Sequence, residues 1–146
     1  MECITASGAS IELENNEDVR VSRVESSDGP AAQRKVVLVV DDEALVRMLA
    51  VDLFEEAGCE VIEAADGAEA LERLEERPDV SLLFTDCRMP RLTGPELAKV
   101  ASRNNPHLQI VLVTGYHGLE STDWPVIWKP YDSREINRLL GQSTSN

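Results

Sequence analysis

A chain of 146 residues, 42% of them hydrophobic and 28% charged, holds one ordinary buried core plus an extension and has no room for a second folded domain. Its 14 basic residues against 27 acidic ones give a formal charge of -13, which repels phosphate backbones and anionic membrane surfaces, so neither nucleic acid nor membrane is an expected partner. Cys3, Cys59 and Cys87 are odd in number and lack CxxC spacing, no apolar run is long enough to cross a bilayer, and no signal-peptide pattern opens the chain; a reducing cytoplasm is the expected setting.

Residues 1–34 are rich in Ser, Asn, Glu and Asp with scattered Val and Ile, and Asp28-Gly29-Pro30 breaks the chain before the first dense apolar run. This segment is expected to be a disordered acidic tail, although the alternation of Val19 and Val21 hints at a short strand. The folded domain is expected over 35–143, with 144–146 as a C-terminal tail.

From Lys35 the pattern alternates. A strand is predicted over Val36–Val40, a helix from Ala44 to about Ala57, a strand over Glu60–Ala64, a helix over Ala68–Glu76 and a strand over Val80–Thr85. Leu45, Met48, Leu49, Asp52-Leu53 and Glu56-Ala57 keep an apolar stripe at helical spacing, the face expected to meet the core, and Gly58 can close the helix. Asp66-Gly67-Ala68-Glu69 reads as a capping box, and Pro78 stops the helix it opens. Thr93-Gly94-Pro95-Glu96 is a second capping box for a helix to about Arg103, and Asn104-Asn105-Pro106 breaks the chain before a strand from Gln109. A last strand, Val126–Trp128, precedes a third capping box, Asp132-Ser133-Arg134-Glu135, whose helix carries Ile136, Leu139 and Leu140 on one face.

Strands alternating with helices imply a parallel α/β sheet of five strands with four or five helices. The connection between Thr114 and Val126 is short and contains Gly115, Gly118 and Pro125, so the helix expected there is short or absent.

In such a sheet, ligands gather beyond the carboxyl ends of the strands, where the strand order reverses. Asp41-Asp42, Asp86, Thr114 and Lys129 each end an apolar run. Taken singly each has a plain structural reading: Asp41 or Asp42 as a helix N-cap, Thr114-Gly115 as a strand-to-turn step, Lys129-Pro130 as a loop charge. Together they make a self-repelling acidic cluster that must protonate, spread or hold a cation. Hard carboxylate oxygens suit Mg2+, and a carboxylate beside a divalent metal can receive a phosphoryl group.

Four segments, Val37-Leu38-Val39-Val40-Asp41-Asp42-Glu43, Thr85-Asp86-Cys87-Arg88-Met89-Pro90, Val113-Thr114-Gly115 and Trp128-Lys129-Pro130-Tyr131, occur in order and resemble the motifs of bacterial response regulator receiver domains. The resemblance spans about residues 35–142. It implies a flavodoxin-like doubly wound sheet of strand order 2-1-3-4-5 with helices on both faces. It further implies that Asp86 accepts a phosphoryl group from a phosphohistidine on a sensor histidine kinase or histidine phosphotransfer protein. Asp42, Asp86 and the backbone carbonyl of Arg88 would hold Mg2+ directly, with Asp41 acting mainly through water. Thr114 and Lys129 would each contact a phosphoryl oxygen, and the Lys129-Pro130 bond resembles one that is cis in the family.

Receivers commonly carry an aromatic switch residue three positions before the lysine, where this chain has Val126; Tyr116 is the candidate replacement, and Thr114-Gly115-Tyr116 resembles a receiver subgroup with an irregular loop there. Six residues follow Leu140, so signalling is expected by contact with a downstream protein target rather than through an attached output domain, and the chain is expected not to be an enzyme. An interaction module that works without phosphorylation is the alternative. A haloacid-dehalogenase-like phosphatase would need Asp-x-Asp after the first strand, where this chain has adjacent acids. A flavin binder would need a Ser/Thr/Gly-rich loop there, which Asp41-Asp42-Glu43 replaces.

Overall fold

The computed structural model describes residues 34–115 and 122–141. The expected tail at 1–34, apart from its last residue Arg34, the expected tail at 144–146, and Tyr116 with the rest of 116–121 lie outside the described residues. Strand β1 (Val36–Val40) leads into helix α1 (Ala44–Glu56), then β2 (Glu60–Ala64), α2 (Gly67–Glu76), β3 (Leu82–Asp86), α3 (Gly94–Asn104), β4 (Gln109–Thr114), β5 (Val126–Trp128) and the short α4 (Ser133–Leu139). The five strands form one sheet, all neighbours parallel, in the order β2-β1-β3-β4-β5. This is the expected doubly wound topology.

The strand sequences dictate the two layers. Side chains alternate across a strand, so Leu38, Leu83, Ile110 and Leu112 point to one face and Val37, Val39, Phe84 and Val113 to the other. Helices α2 and α3 cover the first face through Ala70, Leu74, Leu97, Ala98 and Ala101. Helices α1 and α4 cover the second through Ala50, Phe54 and Ile136, with Leu139 and Leu140 packed alongside. With both faces covered, β1 and β3 are buried from end to end, the continuous apolar pattern of a central parallel strand.

The helix ends follow local chemistry. Thr93 and Asp132 form full capping boxes with Glu96 and Glu135. At Asp66 only one arm matches: its carboxylate accepts from the Glu69 N–H at 2.8 Å, but the Glu69 carboxylate accepts from Ala65 N–H instead. Gly58 takes φ +94 just beyond α1, as its closing role requires.

One expectation is overturned. Leu45, Met48 and Leu49 are 75%, 54% and 66% exposed, and the buried stripe of α1 runs instead through Ala50 and Phe54, with Val51 and Leu53 partly buried. Both stripes have helical spacing, and periodicity alone cannot say which faces the sheet. Phe54 decides the outcome, because its ring meets Phe84 of β3 edge-on at 4.9 Å, and Phe84 meets Tyr131 at 5.6 Å. An aromatic column thus joins α1, the centre of the sheet and the segment after β5.

Helix α3 starts very close to the end of β3. The Gly94 N–H donates to the Cys87 carbonyl at 2.9 Å, and a methyl group on Gly94 would collide with the Asp86 carbonyl oxygen and lie 2.8 Å from the Cys87 Cα. Backbone cannot yield as a flexible side chain can. Gly94→Ala is therefore expected to destabilise the protein by about 1–3 kcal/mol, seen as a lower urea midpoint with unchanged slope; an unchanged midpoint would mean that this approach is looser than described.

Candidate functional site

The parallel register brings four strand ends to one edge. Val40 pairs with Thr85, Asp86 with Val113 and Thr114 with Trp128, so Asp41, Asp86, Thr114 and Lys129 fall side by side. The chain leaves β1 for β2 on one side and returns to β3 on the other, which opens a crevice beyond β1 and β3. A cleft of about 400 Å3 lies there, lined by Asp42, Glu43, Asp86, Arg88, Thr114, Gly115 and Lys129.

Carboxylate oxygens of Asp41, Asp42 and Asp86 lie within 4.8 Å of one another. Asp41 is buried, Asp86 sits at the margin of burial at 9% exposed, and Asp42 is exposed. The Lys129 ammonium stands 3.1 Å from Asp86 Oδ1 and 3.5 Å from Asp41 Oδ2. The other Asp41 oxygen accepts from the Glu43 N–H at 2.9 Å. Asp41 therefore braces the turn before α1 as well as joining the cluster, but the helix N-cap is neither Asp41 nor Asp42: it is Glu43, which makes no side-chain cap.

One ammonium faces three carboxylates. Burial pushes the Asp86 carboxyl above its ordinary range, Lys129 pulls it back, and Asp41 and Asp42 push it up again. Burial alone would lower Lys129, but its bond to Asp86 and the fields of Asp86 and Asp41 outweigh that and hold it above its usual value. An isolated ion pair would lower its acid. Here Asp86 is raised, because desolvation and two neighbouring anions outweigh a single cation.

The second layer is equally defined. Lys129 N–H donates to the Thr114 carbonyl at 2.9 Å, tying the two strand ends together, and the Lys129-Pro130 bond is cis. Thr114 is buried, and its side chain bonds that of Cys87. Burial raises the Cys87 thiol to about 11, with the Asp86 charge adding to the effect and the Thr114 bond opposing it. Val126 is partly buried against the α2/α3 side of the core, beside Trp124.

The five side chains singled out from the strand ends, Asp41, Asp42, Asp86, Thr114 and Lys129, are thus gathered, and Arg88 lines the same cleft. Sequence reasoning missed Arg47. Its guanidinium donates to the Asp41 carbonyl at 2.7 Å and to Glu63 at 3.0 Å, a contact between residues sixteen apart that no local pattern announces.

The donor set is all oxygen and anionic, which fits a hard divalent cation such as Mg2+ and does not fit a soft one. Among the described residues no helix is long and apolar enough to cross a membrane.

Residues 37–138 match the family model for the response regulator receiver domain. The chain is 37% identical over 109 residues to the response regulator receiver protein CpdR of Brucella abortus (strain 2308), covering 70% of this chain and 90% of that one. It is 32% identical over 108 residues to sporulation initiation phosphotransferase F of Bacillus subtilis (strain 168), covering 68% and 86%. Other matches are longer proteins, a sensor kinase and transcriptional regulators, of which the chain spans between 9% and 45%. Among solved structures, the response regulator TrrA of Thermotoga maritima in complex with Mg(2+)-BeF superposes with a TM-score of 0.67 at 28% identity, covering 73% of this chain and 96% of that one. The ordered strand-end motifs, the sheet order and these likenesses agree: the chain belongs to the response regulator receiver domain family of two-component systems.

Proposed function

We propose that this chain is a phosphoacceptor that takes a phosphoryl group onto Asp86 from a sensor histidine kinase or histidine phosphotransfer protein, with Mg2+ present, and signals by contact with a downstream protein. The observation that carries the reading is the gathering of three carboxylates within 4.8 Å, with Lys129 3.1 Å from the central one.

In the step proposed, an Asp86 carboxylate oxygen attacks phosphorus. The P–O bond forms as the P–N bond to the donor imidazole breaks, and its electron pair leaves on the imidazole nitrogen. Asp42, Asp86 and the Arg88 carbonyl would hold the metal, with Asp41 supporting it through water. When bound, Mg2+ supplies charge neutralisation for the equatorial oxygens. Lys129 would contribute the same, leaving Asp86 for a phosphoryl oxygen once the acceptor oxygen carries the phosphoryl group as an acyl phosphate. Thr114 gives its hydroxyl to another oxygen, at the expense of its bond with Cys87. The product carries nearly two negative charges and three strong acceptors where one carboxylate stood, enough differential contact to shift the β4–β5 side of the domain. Slow loss of the phosphoryl group to water resets the site, and no small-molecule turnover is assigned to it.

The TrrA complex holds Mg(2+)-BeF, and sporulation initiation phosphotransferase F is by name a phosphotransferase. Both support the reading. The phosphorylation-independent alternative is disfavoured, because a module with no phosphoryl chemistry has no use for a crowded, half-buried acid pocket that raises Asp86.

The donor partner is proposed to sit on α1. Leu45, Met48 and Leu49 present an exposed apolar band directly after the acidic turn of the cleft, between the exposed acids Asp42, Glu43, Asp52 and Glu56. A helical partner with an apolar face and basic flanks would meet it.

Three outcomes are expected. With Mg2+ and acetyl phosphate the wild type gains one phosphoryl group by intact mass and Asp86→Asn gains none; modification persisting in Asp86→Asn would move the acceptor elsewhere. Met48→Ser with Leu49→Ser should leave the unfolding free energy within about 1 kcal/mol of wild type and the acetyl phosphate reaction unchanged, yet slow transfer from a phosphohistidine donor, and equal transfer rates would remove α1 as the docking face. The third concerns pH. A carboxyl raised on folding contributes stability below its unfolded pKa and loses it as pH rises through the folded one. In EDTA near neutral pH, Asp86→Asn should therefore melt a few degrees above wild type, with the gap closing as pH falls through the raised Asp86 value. A gap that is absent, or that widens on acidification, contradicts the crowding argument.

A further inference from the structure

Asp41 is where β1 leaves the sheet. Its N–H still donates to the Ala64 carbonyl of β2 at 3.3 Å, while its own carbonyl accepts from Arg47 Nη1 at 2.7 Å. Arg47 lies near the start of α1 and donates through Nε to Glu63 on β2 at 3.0 Å. We propose that Arg47 is a positioning residue: its two-ended clasp holds the Asp41-Asp42 turn opposite Asp86 and so sets the affinity of the cleft for its divalent cation. The inference rests on the cation-dependent acceptor reading and adds a residue that touches neither cation nor phosphoryl group.

The plain alternative is a surface ion pair between α1 and β2, which would contribute little. Two observations separate Arg47 from that class. Its side chain is only 18% exposed, and its shortest bond goes to the main chain of a site residue rather than to a carboxylate. Asp41 is 5% exposed, so a carbonyl deprived of this donor has little water to turn to. Helix α1 also lacks a side-chain N-cap, leaving the turn to be shaped by the Asp41 carboxylate on the Glu43 N–H and by Arg47 on the Asp41 carbonyl.

Charge and geometry give opposite expectations. A guanidinium acting through its field would repel a cation, and its removal would tighten binding. Glu63 at 3.0 Å neutralises that field locally, which leaves geometry as the larger effect, so removal should weaken binding. Lysine keeps the charge but cannot span both acceptors as a planar fork does.

The test is Mn2+ binding by the full chain, read from the paramagnetic resonance signal of the free ion, in wild type, Arg47→Lys, Arg47→Gln, Glu63→Gln and Asp42→Asn. Arg47→Lys and Arg47→Gln are expected to weaken binding about tenfold, the low end for loss of a residue that supports ligands from behind. With acetyl phosphate, the half-saturating Mg2+ concentration should rise while the rate at saturating Mg2+ stays at the wild-type value, a split that general destabilisation would not produce. Glu63→Gln loosens one end of the clasp without touching the turn and should shift binding in the same direction, which keeps the inference testable if Arg47→Gln folds poorly. Wild-type affinity in the Arg47 variants, or tighter binding, overturns the clasp and leaves the acceptor reading intact. No binding by wild type overturns both, and loss in Asp42→Asn alone overturns only the clasp.

Discussion

Three carboxylates share one ammonium at the edge of a parallel sheet, and most of the domain is arranged so that this crowding can persist. Mutual repulsion would drive Asp41, Asp42 and Asp86 apart if their backbones were free. They are not. Asp41 and Asp86 extend two adjacent strands whose paired residues, Val40 and Thr85, are locked in register, and Lys129 is bonded through its N–H to the strand that ends at Thr114. The strain of the acids is carried by a hydrophobic core packed on both sides of the sheet, each fully buried Leu or Val in it contributing about 1.5–3 kcal/mol. A site built this way is poised: a bound cation would relieve repulsion that is already present.

The route from the site into the body of the domain is short. Phe84 stands two residues before Asp86 and Tyr131 two residues after Lys129, and their rings meet at 5.6 Å. Phe54 of α1 completes the column at 4.9 Å from Phe84. On the opposite face, Thr114 and Cys87 share a bond, and Val126 and Trp124 lie against the same core. Any movement of Lys129 or Thr114 would therefore be felt by packed neighbours on both faces of the sheet. Val126 cannot serve as an aromatic reporter of that movement, whereas the nearby Trp124 has the bulk that Val126 lacks.

Much of this was legible in the residues. Apolar runs ending in Asp41, Asp86, Thr114 and Lys129 give the strands and the edge at which they converge, because a parallel sheet leaves few other places for such ends to go. Capping boxes at Thr93 and Asp132 mark helix starts by purely local chemistry. What stayed hidden is what depends on contacts between distant segments. Helix α1 offers two apolar stripes, and the choice of Phe54 over Leu45, Met48 and Leu49 was made by Phe84, thirty residues further on in sequence. Arg47 escaped notice for the same reason, since its partners are a main-chain carbonyl and a carboxylate on the next strand. At Asp66, one arm of the box goes to Ala65, a one-residue shift that spacing alone does not resolve.

Cys87 adjoins Asp86, the proposed phosphoacceptor, in sequence, and its surroundings disfavour the chemistry that usually makes such a thiol a liability. Oxidants and electrophiles react with thiolate, and a thiol raised to about 11 and 5% exposed holds almost none at physiological pH. The chemistry proposed for Asp86 thus has as its sequence neighbour a sulfur held in its unreactive form.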